Sequence, residues 1–144
     1  MNVKPMLMLA TTLAVSSSQV AFADKAVFAG GCFWCMEADF EKLPGVTDVI
    51  SGFTGGELEN PTYHGDHTGH YEAVEIAYDP DKVSYSELVD LFWTSVDPFD
   101  DRGQFCDKGH SYLAAIFVAN DTERKIAEEL KQQVVAMFPD QTVV

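Results

Sequence analysis

Two hydrophobic periods alternate along this chain, and their order restricts the fold more than any other feature of the sequence. Residues 25–29 read as a short strand, Gly30-Gly31 as a tight turn, and 32–42 as a helix with Phe33, Met36, Phe40 and Leu43 on or near one face. Pro44-Gly45 stops that helix, and 46–53 form a second strand closing at Gly55-Gly56. Residues 57–69 are polar, rich in Gly and His and without period, as a surface loop would be. Val74, Ile76 and Tyr78 alternate with Glu75 and Ala77, the pattern of a half-buried strand. Ser84 and Glu87 make a capping box for a helix bearing Leu88, Leu91, Phe92 and Val96, which Asp97-Pro98 closes. An irregular stretch, 99–110, leads into an apolar strand over 112–119. Asn120 then caps a helix to about Phe138, with Ile126, Leu130, Val134 and Met137 on one side. Residues 142–144 read as the start of a further strand. This order contains the split β-α-β unit of ferredoxin-like domains. The expected class is α+β, a ferredoxin-like two-layer sandwich with a mixed or antiparallel sheet.

The first 23 residues are read apart from the fold. Lys4 is their only charge, an apolar run from Met6 to Val15 follows, and Ala21-Phe22-Ala23 offers the small residues that a signal peptidase requires. The run is far shorter than the ~20 residues of a membrane span. Residues 1–23 are therefore expected to be a signal peptide cut after Ala23, and 24–144 a single periplasmic or secreted domain. The formal charge of −14 disfavours binding to nucleic acid or anionic lipid. Three cysteines are an odd number for an exported chain whose thiols serve structural bridges, so reactive cysteines fit better.

Cys32 is the first candidate. A cysteine set directly after a strand and a Gly-Gly turn lies at a helix start, where unpaired N–H groups and the helix dipole favour a thiolate. The glycines keep bulk away from the sulfur. Phe33 and Trp34 behind it can wall an apolar pocket suited to a methyl group, and Cys35 follows one helical turn later.

These residues also carry a resemblance. Gly31-Cys32-Phe33-Trp34 is similar to the signature of the A-type peptide methionine sulfoxide reductases. Further matches follow in order: Leu43-Pro44-Gly45-Val46, Gly52-Phe53-Thr54-Gly55-Gly56, Asn60-Pro61-Thr62-Tyr63, Thr68-Gly69-His70-Tyr71-Glu72-Ala73-Val74, Tyr78-Asp79-Pro80 and Phe105-Cys106-Asp107-Lys108-Gly109 ahead of Tyr112. The resemblance implies that Cys32 attacks a methionine S-sulfoxide, peptide-bound or free, and becomes a sulfenic acid. It implies that Glu72 is the acid, that Tyr63 and Tyr112 hydrogen-bond the sulfoxide oxygen, that Asp107 orients a water or a tyrosine, and that Phe33 and Trp34 hold the methyl. A nearby thiol then resolves the sulfenic acid as a disulfide, Cys35 or Cys106, with Cys35 favoured for the first bridge. No cofactor or metal is expected. The partners implied are oxidised proteins and an external thioredoxin-like dithiol, with the chain a monomer. Two departures from the family stand out: the short His64-Gly65-Asp66-His67 segment, and a C-terminal strand and aromatic-rich tail expected to be missing.

Two other readings compete. Cys32-Phe33-Trp34-Cys35 after a strand also suits a thiol-disulfide oxidoreductase, a reading that leaves Glu72, Tyr63 and Tyr112 without a task. His64, His67 and His70 with Asp66 could form a metal-binding module, although histidines in a Gly-rich loop are more often solvated.

Overall fold

The computed structural model describes residues 23–144; apart from Ala23, the expected signal peptide lies outside them. The elements run β1 (Asp24–Gly30), α1 (Phe33–Phe40), β2 (Val46–Thr54), β3 (Tyr71–Tyr78), α2 (Tyr85–Ser95), β4 (Gly103–Gln104), β5 (Asp107–Lys108), a 3-10 turn (His110–Tyr112), β6 (Ala114–Phe117) and α3 (Asp121–Met137). Four strands form one sheet in the order β2-β3-β1-β6, and β4 pairs with β5 alone. Among the described residues the named strands all pair antiparallel, and the fold is α+β.

Alternation along β3 places Glu72, Val74 and Ile76 on one face. The register sets Val74 beside Phe28 of β1 and Phe53 of β2 beside Glu72. Phe28 is the centre of the core. Its ring meets Phe40 of α1 at 5.6 Å and Tyr85 and Phe92 of α2 at 6.0 and 5.5 Å, so the helices cover this face of the sheet. Burying each such side chain contributes about 1.5–3 kcal/mol. Helix α3 packs beside α2 and sends Leu130 into the same cluster.

The helix starts follow their caps. The Ser84 side chain accepts from the Glu87 N–H while the Glu87 carboxylate accepts from the Ser84 N–H, and the Asn120 side chain accepts from Glu123. Other boundaries move from their expected places. Cys32 caps α1 and is not its first residue, and the helix ends at Phe40 instead of residue 42. The stretch expected as a strand over 112–119 shortens to Ala114–Phe117, because Tyr112 closes a 3-10 turn in which its N–H donates to Gly109. The interval 99–110, expected to be irregular, contains the β4-β5 hairpin. Residues 142–144 join no strand; the Val144 N–H donates to the Pro98 carbonyl at 3.0 Å.

Candidate functional site

The turn between β1 and α1 delivers Cys32. Gly31 has φ +88°, and a Cβ built there would lie 2.7 Å from Gln104 Cβ; at Gly30 it would lie 2.6 Å from Met36 Sδ. Both the left-handed backbone and the close approach require glycine. Gly31→Ala is expected to lower unfolding free energy by about 2–4 kcal/mol through strain and overlap. A urea titration would measure that loss; an unchanged midpoint would show that the turn tolerates a side chain.

As the N-cap of α1, Cys32 is extended in backbone, and its carbonyl accepts from the Cys35 and Met36 N–H groups at 3.0 and 3.3 Å. The first turn holds no acidic residue. Instead, the amide next to the sulfur reaches across the fold: Phe33 N–H donates to Glu72 Oε2 at 3.2 Å. That bond joins the Cys32 turn to β3.

Glu72 is 1% exposed, and its other oxygen, Oε1, is buried with no hydrogen-bond partner. Burial pushes its carboxyl above the ordinary carboxylic range and the charge of Asp107 adds to the shift, while the Phe33 N–H and His67 oppose it. A carboxyl held this way favours its protonated form. One oxygen is engaged by the backbone; the other can donate a proton to whatever enters the site.

An aromatic shelf surrounds this pair. Phe33 is buried and contacts Trp34 at 5.2 Å, Phe53 at 5.6 Å and Tyr63 at 5.8 Å, the last in a stacked geometry. Trp34 and Tyr63 meet at 4.9 Å and both are exposed, so the long loop between β2 and β3 brings Tyr63 to the helix start. Tyr112 reaches the same place from the 3-10 turn. Burial raises its phenol above the ordinary value, and Glu72, Asp107, Tyr63 and Cys32 push it further in the same direction. A neutral phenol remains a hydrogen-bond donor.

The three cysteines are thiols, Cys32 half-buried and the other two exposed. A hydrogen-bonding interaction with the Cys32 side chain is the main cause of a raised Cys35 thiol, with partial burial and the charges of Cys32, Asp107 and Asp39 contributing. Cys106 occupies the two-residue tip, Phe105-Cys106, of the β4-β5 hairpin. The structure thus gathers Cys32, Cys35, Phe33, Trp34, Tyr63, Glu72, Asp107 and Tyr112, and holds Cys106 exposed at the hairpin tip next to Asp107.

The histidines act separately. His70 is buried, its ring bonding the Leu58 carbonyl and the Gly56 N–H. His67 stacks on Phe53 at 5.0 Å, and His64 meets Tyr63 edge-on. Among the described residues no three His, Cys, Asp or Glu side chains converge as metal ligands.

Sequence reading passed over three contributors. Phe53 lies under Phe33, and its place on the helix face was readable from strand alternation. His67 acts on Glu72, for which no local pattern exists. Gln104, 1% exposed, accepts from Asp97 N–H at 2.7 Å and donates to Asp97 O at 3.0 Å, bracing the hairpin beneath Gly31. An apolar groove of about 260 Å³ beside β6, lined by Trp93, Ile116 and Lys131 among others, contains none of the site residues.

Comparison with known proteins places the chain in a family. Residues 24–144 match the family model described as peptide methionine sulfoxide reductase. The chain is 54% identical over 112 residues to peptide methionine sulfoxide reductase MsrA of Ligilactobacillus salivarius, covering 76% of this chain and 65% of that protein. It is 51% identical over 126 residues to the protein of the same description from Limosilactobacillus reuteri, covering 84% and 72%. The solved structure of methionine sulfoxide reductase A of Corynebacterium diphtheriae superposes with a TM-score of 0.70 at 32% identity, covering 83% of this chain and 60% of that one. Reduced Mxr1 from Saccharomyces cerevisiae, at 22% identity and TM-score 0.71 over 87% of this chain and 75% of its own, shares the fold. The chain therefore spans about two thirds of the length of the curated relatives it matches.

Proposed function

We propose that this chain, which belongs to the peptide methionine sulfoxide reductase family, reduces methionine S-sulfoxide, peptide-bound or free, to methionine with Cys32 as nucleophile and Glu72 as proton donor. The observation that carries this reading is the buried Glu72 carboxyl, fixed by the Phe33 amide beside Cys32 and left with one unpartnered oxygen. Thiol-disulfide exchange can also use a buried carboxyl, but it gives no task to the Trp34–Tyr63 shelf or to Tyr112. The S configuration comes from family likeness, and the sheet order, with β1 between β3 and β6, supports a ferredoxin-like assignment of the frame.

The substrate methyl rests on Phe33 and Trp34. The sulfoxide oxygen accepts hydrogen bonds from Tyr63 and Tyr112, and Asp107 orients a water or a tyrosine. Cys32 sulfur attacks the sulfoxide sulfur, and the oxygen takes the Glu72 proton as negative charge develops on it. Transfer of that oxygen leaves Cys32 as a sulfenic acid and releases methionine. Cys35 then attacks the sulfenic sulfur, forming the Cys32–Cys35 disulfide and expelling water. A thioredoxin-like dithiol reduces this bridge directly or through Cys106 and is itself oxidised to a disulfide. The sum is one sulfoxide and two thiols converted to one sulfide, one disulfide and water, with no cofactor. The export pattern read in residues 1–23 supports placing the reaction in the periplasm or outside the cell, and the enzyme acts as a monomer.

The test uses the two separated epimers of N-acetylmethionine sulfoxide with dithiothreitol. Wild type should reduce only the S epimer. Without reductant, Cys35→Ser should release about one equivalent of methionine and retain one added oxygen on Cys32 by mass spectrometry, whereas Cys106→Ser should form the 32–35 bridge. Equal use of both epimers, or a bridge to Cys106 in the wild type ahead of Cys35, would refute the corresponding step.

A further inference from the structure

The β4-β5 hairpin carries an anomaly at its tip. Phe105 holds φ +49°, a region that bulky residues rarely occupy, and it is 66% exposed. Strain of this kind costs about 1–3 kcal/mol, and an exposed phenyl ring gains nothing from burial. A two-residue hairpin turn calls for such a φ at its first position, but among the described residues Phe105 makes no ring-to-ring contact that would offset its exposure. The tip itself is rigidly placed. Gln104 is bonded twice to Asp97 and lies against Gly31, Gly109 N–H donates to the Arg102 carbonyl at 2.8 Å, and Lys108 pairs with Asp100. Phe105 is thus held at the hairpin tip next to Gln104, which lies against Gly31 of the Cys32 turn, and two residues from Asp107.

We infer that Phe105 is a specificity residue, receiving a bulky apolar side chain one or two positions from the oxidised methionine in an extended polypeptide substrate. This deepens the reductase reading and rests on it. Trp34 and Tyr63, the other exposed rings of the site, lie together at 4.9 Å and are engaged by the methyl and the sulfoxide oxygen of the oxidised side chain. Phe105 belongs to a different element and is free for another contact. An extended chain advances about 3.3 Å per residue, so flanking side chains reach past the pocket mouth where a free amino acid has nothing to offer. The chemistry suits the damage: methionine is often buried, and its neighbours in an unfolded segment include apolar residues.

The experiment compares kcat/KM for N-acetylmethionine S-sulfoxide with two blocked pentapeptides whose central residue is the S-sulfoxide, one flanked by leucine and one by glycine. Wild type should prefer the leucine peptide. Phe105→Gly should lower kcat/KM for that peptide about tenfold, mainly through KM, with less than twofold change on the other two substrates, and Phe105→Leu should restore most of the preference. Glycine accepts a positive φ without strain, so F105G should unfold no earlier than wild type in urea. An unchanged leucine-to-glycine ratio in F105G, or equal losses on all three substrates, would overturn the inference alone. A wild type inactive on all three would overturn the reductase reading and this inference together.

Discussion

Cys32→Ser is expected to abolish turnover of N-acetylmethionine S-sulfoxide, with kcat/KM falling by about 10⁴-fold or more, the scale on which loss of a covalent nucleophile acts elsewhere. A hydroxyl at the same N-cap stays protonated and is a far weaker nucleophile toward sulfur than a thiolate. Dithiothreitol sets the background, so the assay follows methionine released above a control without enzyme. Intact-mass measurement adds a second reading: the added oxygen expected on Cys35→Ser should be missing from a Cys32→Ser, Cys35→Ser double variant. Turnover by Cys32→Ser within tenfold of wild type would mean that another group attacks the substrate.

The second large effect belongs to Glu72. Glu72→Gln keeps a carbonyl oxygen to accept the Phe33 N–H but has no proton to give, so kcat should fall about 10²–10⁴-fold. The pH profile separates this from mere misplacement. Burial, reinforced by Asp107, raises the Glu72 carboxyl, so the protonated, active form persists above the ordinary carboxylic range and wild-type activity declines as pH rises through the shifted value. That limb should vanish from what activity E72Q retains. Stability follows the same sign. Between the unfolded and folded values the native state holds more protons, so this group's favourable contribution is complete below the unfolded value and is lost as pH rises through the folded one. E72Q should lack that loss in urea titrations at graded pH. Full kcat in E72Q would remove Glu72 from the mechanism.

Much of this was legible in the residues. Ser84 and Glu87 form the capping box that their spacing announces, and the alternation of Val74, Ile76 and Tyr78 reports the buried face of β3. The Gly-Gly-Cys turn was equally plain, since only glycine fits φ +88° at Gly31. Where expectation and structure part, hydrogen bonds outweigh local apolarity. Tyr112 reads as strand but is held by Gly109 in a 3-10 turn, and Val144 bonds to Pro98 without joining a strand. The two-residue turn at Phe105-Cys106 lacks the Asn-Gly or Gly-first signal of such turns, which hid the hairpin.

The sequence by itself determined the order of the elements apart from the β4-β5 hairpin, the caps, the placement of Cys32 at a helix start and, through its motifs, the family. These depend on neighbours within a few residues, where periodicity and turn chemistry act. The tertiary structure alone decided that Glu72, 39 positions from Phe33, loses its water and gains that amide, and that Tyr63 stacks on Phe33. Proton affinity and reach depend on burial and on groups brought together from distant segments, and no local pattern encodes either.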